Sequence, residues 1–399
     1  MNMQRWLISL FVSIAIQPIA GFGAEEKAVI HEPMIGANVD VDIIIPGAPH
    51  YTKTKIGDLF DVAKSLHYNT LRVTQIGVWS KKLGPGREYT AEEWKKVSQR
   101  AKETGIRLIP VVEFSGEMVK PYLKELKLKL PDAEVYTRSA EKMIDTILDE
   151  AGLVKDGTIA AIDLGNEQPI QAPLVKETYK NLYEYVHKKY PGVLVTAGAW
   201  TSLRHVYASD DMSEIGFYNT NRKLDKTRIL VGIPEDGYPA IEYEDIVSVH
   251  IYGKWWSADH GAKSFVTMTE NQVAESTQDY LEKVSKWSKG KPILVEEYGA
   301  ESGVVPVDPS RSFSAKDASP ENQANVIRGV IKGMHAARSR GVNVVGGLVW
   351  MLAPRGGPEN FADVGNGDCV VIPESEEKEP RILPAAKLIY PEMKALLAK

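Results

Sequence analysis

Two glutamates stand at the ends of apolar runs: Glu167 after Ile159-Ala-Ala-Ile-Asp-Leu-Gly-Asn166, and Glu297 within Ile293-Leu-Val-Glu-Glu297-Tyr298-Gly299. Two carboxyl groups about 5–5.5 Å apart can replace a substituent at an acetal carbon with net retention, one protonating the leaving oxygen while the other attacks the carbon. The two lie 130 positions apart, so this chemistry needs a fold that returns repeatedly to one face. The proton donor must be neutral near neutral pH, which takes desolvation or a neighbouring carboxylate. Glu167, at a buried strand end beside a second glutamate, meets both conditions. Asn166 would donate to the hydroxyl next to the reacting carbon, a contact that strengthens in an oxocarbenium-like transition state. The plainer alternative is a surface Asn-Glu pair after a strand.

Other polar residues fall where they would serve the same pair. Arg72 lies inside the run Thr70-Leu-Arg-Val-Thr-Gln75, and a buried guanidinium needs a carboxylate. Glu297 is the expected partner, with an ordinary structural ion pair as the alternative. His250 and Tyr252 flank Ile251, so both can face one side of a strand; one would contact the acid or the sugar, the other the nucleophile. By the same alternation only one of Glu296 and Glu297 can point inward. Glu297 is expected there, and Glu296 outward toward a helix. Tyr298 would bond the nucleophile or simply pack. Trp79, Trp200, Trp255, Trp256 and Trp350 all follow apolar runs. Aromatic faces suit the C–H faces of sugar rings; any single one serves equally well as core, and Trp350 is the strongest candidate platform.

The elements that must position these residues alternate along the chain. Apolar runs at Met34–Val39, Thr70–Thr74, Arg107–Glu113, Ile159–Leu164, Val193–Ala197, Ile246–Tyr252, Ile293–Glu297 and Val344–Trp350 read as strands buried on both faces. Between them, stripes such as Ile56, Leu59, Phe60, Ala63, Leu66 and Val326, Ile327, Val330, Ile331, Met334 carry helical spacing. Thr90-Ala-Glu-Glu93 is a capping box, and Ser319-Pro320 starts a helix with proline. A last helix is expected within Pro384–Leu397, bent or restarted at Pro391. Strands alternating with helices in this way predict a (β/α)₈ TIM barrel. An open doubly wound sheet is the rival, but no Gly-rich phosphate turn follows the first strand. Long stretches at 201–244, 301–319 and 353–382 follow strands and would wall the catalytic face.

Residues 1–24 read as a signal peptide: Arg5, an uncharged run Trp6–Ile16, then Ala20-Gly21-Phe22-Gly23-Ala24 before Glu25. Residues 25–399 would form one catalytic domain, secreted or periplasmic; an N-terminal membrane anchor is the rival. Cys369 is the only cysteine, which excludes an intramolecular disulfide. The net charge of −5 carries no basic stripe, which argues against nucleic acid.

Together these positions resemble the retaining glycoside hydrolases of clan A, and most closely family 5 and its endo-β-1,4-mannanases. The matching patches are Asn166-Glu167, His250-Ile-Tyr252-Gly-Lys-Trp255-Trp256, Pro292-Ile-Leu-Val-Glu-Glu297-Tyr298-Gly299, Gly347-Leu-Val-Trp350 and Arg72. The chain departs from the family at Val112-Glu113-Phe114, where cellulase-type members carry histidine, and at Gln168, which displaces the usual proline to Pro169. The resemblance implies Glu297 as nucleophile, Glu167 as acid/base, a β-linked polysaccharide or oligosaccharide as partner, and neither metal nor cofactor. A β-glucanase or exo-acting β-glycosidase of the same clan, and an inactive carbohydrate-binding protein on the same scaffold, are the alternatives. A metal-dependent enzyme using Glu113, Glu167, His250 and Glu297 would lack His-rich ligand spacing.

Overall fold

The runs of β-branched and aliphatic residues form parallel strands. The computed structural model describes residues 30, 32–45, 58–74, 89–112, 124–127, 132–166, 173–198, 200–201, 203–205, 229–231, 241–252, 265–305, 317–354, 368–372 and 380–397. Strands β1 (Met34–Asp40), β2 (Thr70–Thr74), β3 (Arg107–Pro110), β4 (Ile162–Asp163), β5 (Val195–Thr196), β6 (Val247–Ile251), β7 (Ile293–Tyr298) and β8 (Val344–Val349) fall on the expected runs. Six of them make one parallel sheet in the order β3-β2-β1-β8-β7-β6, and Trp200–Thr201 adds a short strand beyond β6. β4 and β5 pair with each other, also in parallel. Single parallel bridges, Leu108 to Ile159 and Val111 to Asp163, link the β3 segment to the β4 segment, and Thr196 to Ile246 links β5 to the start of β6.

The longer helices alternate with the strands, and five of them begin at a side-chain cap. They are α1 (Leu59–Ser65), α2 (Ala91–Thr104), α3 (Ala133–Asp145), α4 (Pro173–Lys189), α5 (Glu270–Trp287), α6 (Pro320–Ser339) and α7 (Pro384–Leu397). The Thr90/Glu93 capping box opens α2 as the sequence predicts, and a second box, Thr269/Gln272, opens α5. Ser319 caps α6 ahead of Pro320. α7 runs through Pro391 as one helix and does not restart there. Most of the apolar core lies between strands and helices. A smaller cluster includes Met34 of β1, Ile109 of β3, Leu294 of β7 and Leu348 of β8, with Ala161 and Ile246 from just before β4 and β6.

Two glycines let strand ends meet beside the polar residues. Gly198, with φ +71°, follows β5 so closely that a Cβ there would lie 1.2 Å from the Gly165 carbonyl oxygen. A Cβ on Gly299, past β7, would lie 2.4 Å from the Trp350 carbonyl oxygen. Only glycine tolerates such approaches. Among the described residues no helix is long and apolar enough to cross a membrane.

Candidate active site

Register decides which side chains share the interior. On β1 and β2, Asn38 sits opposite Arg72. Both are fully buried, and Arg72 NH1 donates to Asn38 Oδ1 at 3.0 Å. The same NH1 donates to Glu297 Oε1 at 2.7 Å. Arg72 Nε donates to Asp163 Oδ2 at 2.8 Å, and NH2 donates to Asn166 Oδ1 at 2.7 Å. One guanidinium thus ties β1, β2, β4 and β7 together at their carboxyl ends. Burial works against its charge, but the carboxyl groups packed around it outweigh that and the net shift is upward.

The other oxygen of Glu297 is held from β6. Tyr252 Oη donates to Glu297 Oε2 at 2.6 Å, and His250 Nδ1 lies 3.4 Å from that oxygen. Burial pushes the His250 imidazole down to about 3, outweighing the pull of Glu297, so the ring is neutral at ordinary pH. Both expected β6 residues therefore serve the nucleophile candidate. A carboxylate gripped at both oxygens, by a guanidinium and a phenol, is fixed in aim.

The expectation for Glu296 is corrected. Val295 pairs with Val249 of β6, but the next pair is Glu297 with His250, so β7 carries one extra residue there. The same slip occurs against β8, between Val295–Gly347 and Tyr298–Val349. This is a β-bulge, and it breaks strict alternation of side chains. Glu296 accordingly does not face outward to a helix: its Oε1 lies 3.5 Å from Arg72 Nε and its Oε2 lies 3.9 Å from His250 Nε2. Burial first, then Asp163, push its carboxyl well above the usual range. Tyr298 packs in the main core.

Three members of this cluster were not singled out in the sequence: Asn38, Asp163 and Glu296 as an inward group. Asp163 carried a readable signal, being an acid within an apolar run on the strand that ends in Asn166. Burial pushes its carboxyl upward, against the pull of Arg72 and the Gly165 N–H. Asp368 is a further acidic neighbour: burial, then Glu301 and Glu297, push it upward. Its position is set by Gln323, whose Nε2 donates to the carbonyls of Ala300, Asp368 and Cys369 at 3.0, 3.1 and 3.2 Å.

Of the expected aromatic residues, Trp350 is only 7% exposed and packs with Val305, Met351, Cys369, Ile372 and Leu383 at the end of β8, with Tyr252 against this group. Its side chain is a buried member of this apolar group. Trp200 lies on the short strand Trp200–Thr201 beside Val249 of β6. Trp79, Trp255, Trp256, Glu113 and Glu167 lie outside the described residues. Asn166, the residue before Glu167, shares Arg72 with Glu297.

No protein-family model and no curated protein matches the chain. Solved structures do. An endo-β-1,4-mannanase from Thermotoga petrophila aligns over 92% of this chain and 77% of its own, with TM-score 0.54 and 16% identity. A structure of the hyperthermostable endo-1,4-β-D-mannanase of Thermotoga petrophila RKU-1 aligns over 91% and 99%, with TM-score 0.53 and 17% identity. A β-glucuronidase from an uncultured Clostridium sp. aligns over 92% of this chain but 51% of its own, with TM-score 0.50 and 16% identity. The chain spans about half the length of that last protein. At these identities the likeness is one of fold.

Proposed function

We propose that the chain is a retaining glycoside hydrolase of the clan A pattern, nearest to family 5, acting on a β-1,4-linked polysaccharide with β-mannan as first candidate. The reading places residues 25–399 in a single (β/α)₈ barrel. The bridges from β3 to β4 and from β5 to β6 support closure, since with the β4–β5 pair they complete a circuit of neighbours around the strands. The segregation of Met34, Ile109, Leu294 and Leu348 in one cluster and of Asn38, Arg72, Asp163 and His250 in another fits a filled barrel interior with a polar carboxyl-terminal mouth.

The observation that carries the proposal is the two-sided grip on Glu297, by Arg72 at 2.7 Å and Tyr252 at 2.6 Å. A nucleophilic carboxylate must be held in aim, and these donors engage both of its oxygens. In the proposed mechanism Glu297 attacks the anomeric carbon and Glu167 protonates the departing oxygen. Glu167 then takes a proton from water as it opens the glycosyl-enzyme ester, which restores both carboxyl groups and gives net retention. The mannan preference is supported by fold likeness to two mannanase structures over most of this chain. Export follows from the leader-like first 24 residues.

Incubation with β-mannan, β-glucan, xylan and galactan, read by reducing-end release and product sizing, tests the proposal. Release from β-mannan as a ladder of oligosaccharides, unaffected by chelator and abolished in Glu297→Ala, is expected. Hydrolysis of another of these polymers would replace the substrate assignment. Absence of turnover on all of them, with sugar binding retained, would favour the inactive binding protein.

A further inference from the structure

The Arg72 guanidinium has no hydrogen left to give. A guanidinium carries five N–H donors. NH1 serves Asn38 and Glu297; NH2 serves Asn166 and lies 2.8 Å from Asp163 Oδ2; Nε serves the same Asp163 oxygen. Glu296 Oε1, 3.5 Å from Nε, therefore approaches the cation at a nitrogen whose hydrogen already points at Asp163. Its backbone carbonyl is anchored as well, accepting from Asn38 Nδ2 at 2.9 Å. The bulge is thus pinned to the residue that also supports Arg72.

Among the described residues, Arg72 and a hydrogen bond from Ser248 are what favours a charge on Glu296, and both are outweighed by burial and the neighbouring acids. Arg72 faces it from β2, Asp163 from β4, Tyr179 from α4, Glu244 from the turn before β6, Ser248 and His250 from β6, and Glu297 from its own strand. His250 is neutral. Among these groups Arg72 alone is cationic, and Asp163 and Glu297 already share it at 2.8 and 2.7 Å. A third carboxylate, fully buried, would be an uncompensated anion in a dry site.

We propose, resting on the retaining-hydrolase reading, that Glu296 is a positioning residue for Glu297: it stays a neutral acid, wedged between Arg72 and His250 at the bulge, and leaves the guanidinium's charge and hydrogens to the nucleophile. Glycosylation of Glu297 consumes one negative charge. With Glu296 neutral, the Arg72–Asp163–Glu297 group passes from one net negative charge to none. With Glu296 ionised, the nucleophile would instead sit beside a like charge throughout, which favours its protonation.

Three readouts test this. Kinetics of Glu296→Ala and Glu296→Gln on an aryl β-glycoside give kcat, KM and the pH profile of kcat/KM. The alanine variant is expected to lose about tenfold to a hundredfold in kcat, because small misplacements of a reacting group are costly, with KM moving much less. Glutamine, of the same shape and uncharged, should restore most of that loss, and its acid limb should coincide with the wild-type limb. Infrared spectra of glutamate-labelled protein without substrate should show a protonated-carboxyl band at neutral pH that is lost in Glu296→Gln. The proposal is overturned if glutamine is as damaging as alanine, if its acid limb moves to lower pH, or if no such band is lost. An inactive wild-type enzyme would remove the functional reading and this role with it, while the infrared band would still report whether Glu296 holds a proton.

Discussion

Arg72 and Glu297, 225 positions apart, meet at 2.7 Å inside the protein, and the contact fixes the aim of a carboxylate at the end of β7. The same guanidinium holds Asp163 and Asn166 on the β4 side. It therefore links the end of β7, which carries Glu297, to the segment that ends at Asn166. The fold and the proposed catalysis would both depend on this one side chain, and that makes the arrangement testable by either measurement.

Removing the guanidinium leaves Asp163 and Glu297 as buried carboxylates without their shared partner. Breaking such a pair costs about 3–5 kcal/mol. Arg72→Met is expected to lower the urea midpoint by that much stability with m unchanged, and to lower kcat/KM as well. Arg72→Lys should recover only part of either loss, because an ammonium cannot fork between several acceptors. A midpoint within about 0.5 kcal/mol of wild type would show that the cluster does not hold the fold.

Tyr252→Phe removes the donor at 2.6 Å from Glu297 Oε2 and little else. A hydrogen bond to a charged group contributes about 1.5–3 kcal/mol to stability, so stability should fall by up to that much, and kcat/KM should fall by about tenfold to a hundredfold as the carboxylate loses its aim. A fall of less than about threefold would mean that Arg72 alone orients the nucleophile.

The buried imidazole gives a pH signature. The folded-state value for His250 lies near 3, below its unfolded value of about 6.5. Between those values the unfolded chain binds a proton that the folded one does not, so this group's stabilising contribution is lost as pH falls through that window. The slope is about 1.4 kcal/mol per pH unit at its steepest. Glu296 acts in the opposite sense, since its folded value is raised and its contribution fades as pH rises above about 4.3. Chemical denaturation of His250→Asn between pH 6.5 and 4 should show a shallower loss of stability than wild type. Equal slopes would contradict a neutral buried His250.

Glu167→Ala tests the proton donor. Aryl glycosides with good leaving groups need little protonation, so their glycosylation step should slow much less than that of poor ones. Equal losses for both would remove Glu167 from the acid role.

The strand runs were legible because buried parallel strands read as continuous aliphatic segments; β2 falls on Thr70–Thr74 as the sequence predicts. β4 shrinks to Ile162–Asp163, because three steps from Leu108 to Val111 face four from Ile159 to Asp163 and the ladder is interrupted. Arg72, His250, Tyr252 and Glu297 were readable as polar residues at strand ends or in apolar runs. Glu296 was misassigned because alternation assumes an unbroken ladder, and a bulge is set by pairing with two neighbours that no local pattern records. Asp163 is readable as an acid inside an apolar run, whereas Asn38 is identified only when the assembled strands set it opposite Arg72.

The most direct test of the account is to trap the covalent intermediate with a 2-deoxy-2-fluoro glycoside matched to the hydrolysed sugar and to map the label by peptide mass spectrometry. The label is expected on Glu297. A label on Glu296 or any other residue, or turnover that inverts the anomeric centre, would contradict it.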